Sequence, residues 1–281
     1  MSQVLHATLT VVANDLLARN TFRIRLDSPA LARAIRPGQF VMLRLPGTMD
    51  PLLGRPFAFY DTVLNASSKP CAVDIVYVVV GKVTSLLAEL KPGDQIEAWG
   101  PLGNGFPALE GIDHVGLVAG GIGQTPFLAF VRELLGKRGY GGQAPRQGAK
   151  RVSLYYGVRT ADLAAGEGDF RDAGAQVYLA SDDGSLGFRG FVTQLLQKQQ
   201  PPDHLIGCGP EPMLHALADL AKTWNVRCHL SLETPMACGI GVCFSCVTPV
   251  RTTEGTDYRR VCVEGPVFDA ACLAWDSARS S

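Results

Sequence analysis

Apolar and polar residues alternate along Val4–Ala13 and Thr21–Asp27, the period-two pattern of strands with one buried face. The turn signal Pro37-Gly38 precedes the apolar run Phe40–Leu45, and Asp74–Val80 is rich in β-branched residues, so two more strands are predicted. One stretch in this part reads as helix, Thr84–Leu90, and it stops at the turn Lys91-Pro92-Gly93-Asp94. Short strands at this spacing predict a small antiparallel barrel.

Past Phe106-Pro107 the rhythm changes. His114–Ala119 reads as a buried strand, Gly120–Gly123 as a glycine turn and Thr125–Lys137 as a helix. Strand Val152–Gly157, a polar helical piece at Ala161–Ala173, strand Gln176–Ser181, helix Phe191–Gln199, strand His204–Gly207 and helix Glu211–Thr223 follow. Such alternation predicts a doubly wound parallel sheet. Gly139–Lys150, rich in Gly, Gln and Pro, is expected to be a mobile surface loop. From Pro235 onward cysteines and glycines crowd together and regular structure gives way to loops. The expectation is a multi-domain α/β plus β chain: a β-barrel over 1–107, an α/β nucleotide-binding domain over 108–232 and a small cysteine-rich module over 233–281.

Composition narrows the function classes. Hydrophobic residues make up 47% and charged residues 19% of the 281, enough apolar material for packed cores and against a disordered chain. Lys+Arg and Asp+Glu balance at 26 each, so no charge bias points to nucleic acid or anionic lipid. Runs such as Val76–Val80 and Val115–Ala119 fall far short of the roughly 20 residues of a membrane span. Met1–His6 has no basic segment followed by an apolar one, so no secretory leader is expected. The reading is a soluble cytoplasmic protein, in which the eight cysteines are metal ligands or buried thiols before they are disulfides.

The cysteines carry the most specific signal. Cys238, Cys243 and Cys246 follow C-x4-C-x2-C spacing, and Cys262 comes fifteen residues later, the plant-type [2Fe–2S] pattern. Glycines between them allow a loop to wrap a cluster closely, and thiolates are the soft donors iron needs. A zinc site would favour two C-x2-C pairs or Cys/His mixtures; the nearest histidine, His229, precedes the loop. Cys272 is the rival fourth ligand. Cys71 and Cys228 read as plain buried thiols.

Nucleotide signals lie upstream. Gly120, Gly121, Gly123, Gln124 and Thr125 join a strand to a helix start, where backbone amides can approach a pyrophosphate, with Thr125 as N-cap and Pro126 as first helical residue. Structural βα turns use glycine too. Cys208-Gly209-Pro210-Glu211 also joins strand to helix, at the sheet edge where α/β ligands bind, and Cys208 and Glu211 either line a nicotinamide pocket or cap and pack the next helix. Asp182, ending a third strand, can accept bonds from ribose hydroxyls and would repel a 2′-phosphate, which favours NAD over NADP even with Arg189 close by in sequence. In the barrel, Gly54-Arg55-Pro56-Phe57-Ala58 offers an arginine fork for phosphate and extended backbone for a flavin edge, although such a strand start is also common as plain structure.

Together these residues, with Gly100-Pro101-Leu102-Gly103-Asn104-Gly105-Phe106 and Cys262-Val263-Glu264-Gly265-Pro266-Val267-Phe268, resemble the ferredoxin reductase superfamily over nearly the full chain. The closest resemblance is to the electron-transfer subunit of the NAD-dependent (class 1B) dihydroorotate dehydrogenase. It implies FAD, one [2Fe–2S] cluster and NAD, with no acid–base or nucleophilic catalytic residue in this chain. It also implies a separate FMN-containing barrel subunit that oxidises dihydroorotate in pyrimidine biosynthesis. The implied assembly is a heterotetramer of two plus two, with the cluster near the subunit boundary. Arg55, Pro56, Phe57, Ala58, Val76, Tyr77, Val78, Val83 and Thr84 would contact FAD. Three depart from the family: Ala58 where Ser is usual, Val78 for a common Arg, and Val83 for a usual Gly, which removes backbone freedom and room beside the pyrophosphate. Rival readings are a related flavin/iron–sulfur subunit of ferredoxin:NADP or sulfide dehydrogenase type, and a cluster-docking module with decayed nucleotide sites.

Overall fold

A computed structural model describes residues 4–275; Met1–Gln3, part of the segment read for a leader, and 276–281 of the C-terminal module lie outside the described residues. Seven antiparallel strands form the first unit: β1 (Leu5–Ala18), β2 (Thr21–Asp27), β3 (Phe40–Arg44), β4 (Arg55–Ala58), β5 (Asp61–Leu64), β6 (Pro70–Val78) and β7 (Gln95–Leu102). Their order is β4-β3-β7-β1-β2-β6-β5, and β4 curls back beside β6, where the Phe57 and Tyr77 rings meet edge to face at 6.1 Å. Leu9, Val11, Ile24, Leu26, Val41, Leu43, Val73, Ile75 and Ile96 fill the interior, each worth roughly 1.5–3 kcal/mol of transfer free energy.

Sequence and structure differ where periodicity is interrupted. β1 runs past its expected end because bulges at Val11/Ala13 and Leu16/Ala18 shift the alternation. A short helix α1 (Pro29–Ala34) was not anticipated; Ser28 Oγ accepts the Leu31 amide at 3.3 Å, and Pro29 opens the helix. Helix α2 (Lys82–Ala88) begins before the expected Thr84. The Thr84 hydroxyl accepts the Gly81 amide at 3.1 Å, placing the cap at Gly81.

The second sheet holds β8 (Ile112–Gly120), β9 (Ala149–Val158), β10 (Gln176–Ser181), β11 (Phe188–Arg189), β12 (His204–Cys208) and β13 (Arg227–Ser231). Helices α3 (Phe127–Leu134), α4 (Glu167–Asp172), α5 (Val192–Gln197) and α6 (Glu211–Trp224) lie between them. The expected helix over Ala161–Ala173 is split by Gly166 (φ 72) into a 3₁₀ turn and α4. The strand order β11-β10-β9-β8-β12-β13 is parallel throughout, so the direction of winding reverses between β8 and β12. The Gly139–Lys150 segment does not run free over the surface. Tyr140 within it is buried and donates its hydroxyl to Asp61 on β5 at 2.7 Å.

After β13 the chain enters the cysteine loop, then β14 (Val247–Thr252), β15 (Gly255–Arg260), α7 (Val261–Glu264) and β16 (Val267–Asp269). β16 pairs antiparallel with β13, Leu230 opposite Phe268, so the end of the chain rejoins the second sheet. Among the described residues no helix is long and apolar enough to cross a membrane.

Candidate functional site

The winding reversal brings two loops together. Gly121–Gln124 forms a 3₁₀ turn after β8, and Cys208-Gly209-Pro210 follows β12. A Cβ on Gly123 would stand 2.2 Å from the Cys208 carbonyl oxygen, so only glycine lets these loops touch. Crevices of this kind, outside strand carboxyl ends at a reversal, are where open α/β sheets take ligands. Thr125 does not cap the following helix as expected: its amide bonds to Ile122 O at 3.0 Å, and α3 starts two residues later behind Pro126.

Two cavities open from this crevice. The first, about 530 Å³, is lined by Arg55, Pro56, Phe57 and Ala58 of β4, Val76, Tyr77 and Val78 of β6, Val83 and Thr84 of α2, and Thr125 and Cys208 from the sheet. The second, about 890 Å³, takes Gly120, Gly121, Gly123, Asp182, Gly209 and Pro210. The two share Val78, Val80, Ile122 and Glu233, so contents of one touch contents of the other there. Volumes of roughly 300–1,000 Å³ suit a cofactor or substrate.

The first cavity fits a flavin nucleotide on its own chemistry. Arg55 Nη1 donates to the Leu53 and Gly54 carbonyls at 3.0 and 3.1 Å, which keeps its fork at the cavity mouth. Thr234 Oγ1, in the wall, is buried without a partner among the described residues, a state that costs free energy until a polar ligand edge or water meets it. Val83 has ordinary helical backbone within α2, so no glycine-only conformation is required there and the expected loss of backbone freedom does not arise. The Thr84 hydroxyl is already engaged by the Val80 and Gly81 amides. Cys208 borders this first cavity, and burial raises its thiol.

Two expected residues line neither cavity. Gln124 is fully buried, both amide atoms lacking partners among the described residues, and Glu211 faces outward, its carboxylate 3.3 Å from His215 Nε2. Two others were missed. Glu233 stands at the junction, open to the cleft yet so surrounded by protein that desolvation raises its carboxyl. Phe191, 64% exposed on the second cavity's rim, offers an apolar face to a base. A lone Glu between β13 and the cysteines, and an exposed Phe at a helix start, were the available signals.

Beyond the wall segment Ser231–Met236 lies the cysteine loop. Cys238 and Cys243 lie near enough to perturb each other's thiols, as do Cys246 and Cys262, and the charge of Cys238 also acts on Cys262. Two neighbouring pairs suit the two irons of a [2Fe–2S] cluster. The Ile240 amide donates to Cys238 Sγ at 3.4 Å, and Ser245 Oγ lies 3.2 Å from Cys243 Sγ. That serine contact, first, lowers the Cys243 thiol to about 6, while burial pushes Cys262 up to about 12. Cys243 is exposed and Cys246 and Cys262 are buried. Phe244, between Cys243 and Cys246, holds φ 56, a backbone state uncommon without glycine and frequent at functional loops. Cys272 is exposed, and Cys71, expected as a buried thiol, is half-buried and bonds Val63 O at 3.4 Å.

Residues 8–106 match the oxidoreductase FAD-binding domain, and residues 233–274 match the iron–sulfur cluster binding domain of dihydroorotate dehydrogenase B. The chain is 35% identical over 280 residues to the dihydroorotate dehydrogenase B (NAD(+)) electron transfer subunit of Desulforamulus reducens, covering 98% of this chain and 100% of that one. Its counterpart in Geobacillus kaustophilus is 37% identical over 265 residues, 93% of this chain and 96% of that one. Among solved structures, an NADH-dependent reduced ferredoxin-NADP oxidoreductase studied for flavin-based electron bifurcation superposes with TM-score 0.80 at 27% identity, covering 96% of this chain and 91% of that one.

Proposed function

The chain belongs to the family of dihydroorotate dehydrogenase B electron-transfer subunits, and from that membership we propose the full circuit. A cytoplasmic partner subunit holding FMN oxidises dihydroorotate, and this chain carries the electrons through a [2Fe–2S] cluster and FAD to NAD⁺ in pyrimidine biosynthesis. The working assembly is two copies of each chain. FAD supplies the hydride step and the cluster the one-electron step; the protein supplies position and electrostatics.

The residues divide that work between three units, over 1–107, 108–232 and 233–281. Arg55 grips a phosphate, and the backbone of Pro56, Phe57 and Ala58 meets the flavin edge. Val76, Tyr77, Val78, Val83 and Thr84 shape the flavin cavity. Gly120, Gly121 and Gly123 receive the dinucleotide, Asp182 its adenine ribose, and Cys208-Gly209-Pro210 borders the nicotinamide. Cys238, Cys243, Cys246 and Cys262 hold the cluster. Ile240, Val242 and Phe244, all at least half exposed beside Cys243 in the chain, form the face offered to the partner.

One observation carries the reading: Ser231–Met236 walls the flavin cavity and runs within two residues into Cys238. A related flavin/iron–sulfur oxidoreductase with another partner is the second reading, favoured by the overlay on the ferredoxin-NADP oxidoreductase. Mixing the cofactor-loaded chain with an FMN-containing dihydroorotate dehydrogenase subunit separates them. Dihydroorotate-dependent NADH formation supports the proposal; its absence with both cofactors loaded rejects it.

A further inference from the structure

Trp99, which no sequence motif singled out, ties the cysteine loop to the flavin barrel. Its indole Nε1–H donates to the Cys238 carbonyl at 2.9 Å, across 139 positions of sequence. Trp99 lies on β7 opposite Met42 of β3, and Met42 lies opposite Pro56 of β4, a residue of the flavin cavity. Tryptophan and flavin strand are thus two strands apart in one sheet. The loop lies flush on that sheet: a Cβ on Gly239 (φ 73) would stand 2.7 Å from Met42 Cγ and 3.0 Å from Leu102 Cδ1. Gly54, just before Arg55, meets the other side of the indole, where a Cβ would stand 2.6 Å from Cη2. A separate anchor serves the Cys262 side, where Asn104 Nδ2 donates to Glu264 O at 3.1 Å and Val267 O at 2.8 Å.

We propose that Trp99 is a positioning residue that fixes the Cys238 corner of the cluster loop against the flavin domain and so sets the rate of electron exchange between cluster and FAD. The inference rests on the electron-transfer reading above. The exchange moves one electron from reduced flavin to oxidised cluster, with no bond formed or broken. Its rate depends on how well the two carriers are held, and the indole is the one side-chain hydrogen bond from the barrel to the Cys238 backbone among the described residues. A loosened loop lengthens the path between the two carriers, and electron transfer slows as that path grows.

The test uses anaerobically purified, cofactor-loaded protein mixed rapidly with NADH, following flavin bleaching and cluster reduction separately by absorbance and freeze-quench EPR. Trp99→Phe keeps a ring in place and removes the donor. Its flavin should bleach at the wild-type rate, its iron and sulfide content should be unchanged, and its cluster should be reduced more slowly than wild type by more than about twofold. Trp99→His restores a ring N–H at the matching position and should recover part of the loss. Cluster reduction within twofold of wild type in Trp99→Phe overturns the proposal. So does loss of iron from Trp99→Phe, since the role assigned is placement and not assembly. If wild-type flavin fails to bleach, the electron-transfer reading itself has failed.

Discussion

Tyr140 Oη donates to Asp61 Oδ1 at 2.7 Å, joining the second sheet's long connection to the flavin barrel. Arg132 and Arg138 reach the same buried carboxylate, Arg138 Nη1 at 3.1 Å from both oxygens, and Tyr60 Oη reaches Asp169 at 2.7 Å on the same boundary. The cleft between barrel and sheet is therefore held from behind by buried polar contacts, which fixes how the two cavities meet. Removing Asp61 strands two arginines. Asp61→Ala is expected to lower stability by about 3 kcal/mol, as breaking a buried ion network does, and Asp61→Asn by less. Thermal unfolding of the holoprotein checks this.

A stacked histidine pair predicts acid sensitivity. His204 Nε2 and His229 Nδ1 are 2.9 Å apart, the rings 5.0 Å apart. Burial first, then His229 and Arg227, lower His204 to about 4, and burial lowers His229 as well. Both folded values lie below the unfolded value of about 6.5, so stability is fully present above that pH. For His204 it is lost as pH falls from there towards about 4, by roughly 1.4 kcal/mol per pH unit, and His229 adds to the loss in the same direction. Denaturant unfolding between pH 7 and 5 should show the loss, and His204→Gln should flatten it. An unchanged slope in that variant contradicts the assignment.

The ligand set is tested by paired cysteine variants. Cys262 lies in the thiol group and Cys272 is exposed on a separate 3₁₀ turn. Cys262→Ser should lose the cluster and its EPR signal, while Cys272→Ser keeps wild-type iron and sulfide. The reverse outcome moves the fourth ligand.

Asp182 lines the second cavity together with Arg159. Asp182→Ser should cut kcat/KM for NADH about tenfold, the value of one lost charge-assisted bond of roughly 1.4 kcal/mol, and raise use of NADPH. Equal NADH kinetics in the variant would remove the ribose role.

Arg55→Ala removes the fork at the flavin cavity mouth, and a hydrogen bond to a charged group is worth about 1.5–3 kcal/mol. FAD affinity should fall roughly 10- to 100-fold by fluorescence titration, with iron content unchanged.

Much of this was legible in the chain. The cysteine spacing pointed to the segment that matches an iron–sulfur binding domain, and the two glycine-bearing loops to the reversal point, because metal and phosphate chemistry demand fixed local spacing. What escaped depends on long-range contact. β7 alternates only over Gln95–Ala98 before Trp99-Gly100-Pro101 breaks the pattern, a run too short to predict a strand, so neither the strand nor the Trp99 contact to Cys238 was foreseen. Glu233 and Tyr140 gain meaning only from what folds over them. Gln124 and Glu211 show the converse: residues beside a motif share its neighbourhood without facing its cavities.

The proposed electron path runs from nicotinamide to flavin to iron–sulfur cluster within one chain. It is probed by adding NADH to the anaerobically purified protein and recording the visible spectrum. Flavin and iron–sulfur bands should both bleach. Protein without iron and inorganic sulfide, or with flavin that stays oxidised, contradicts it.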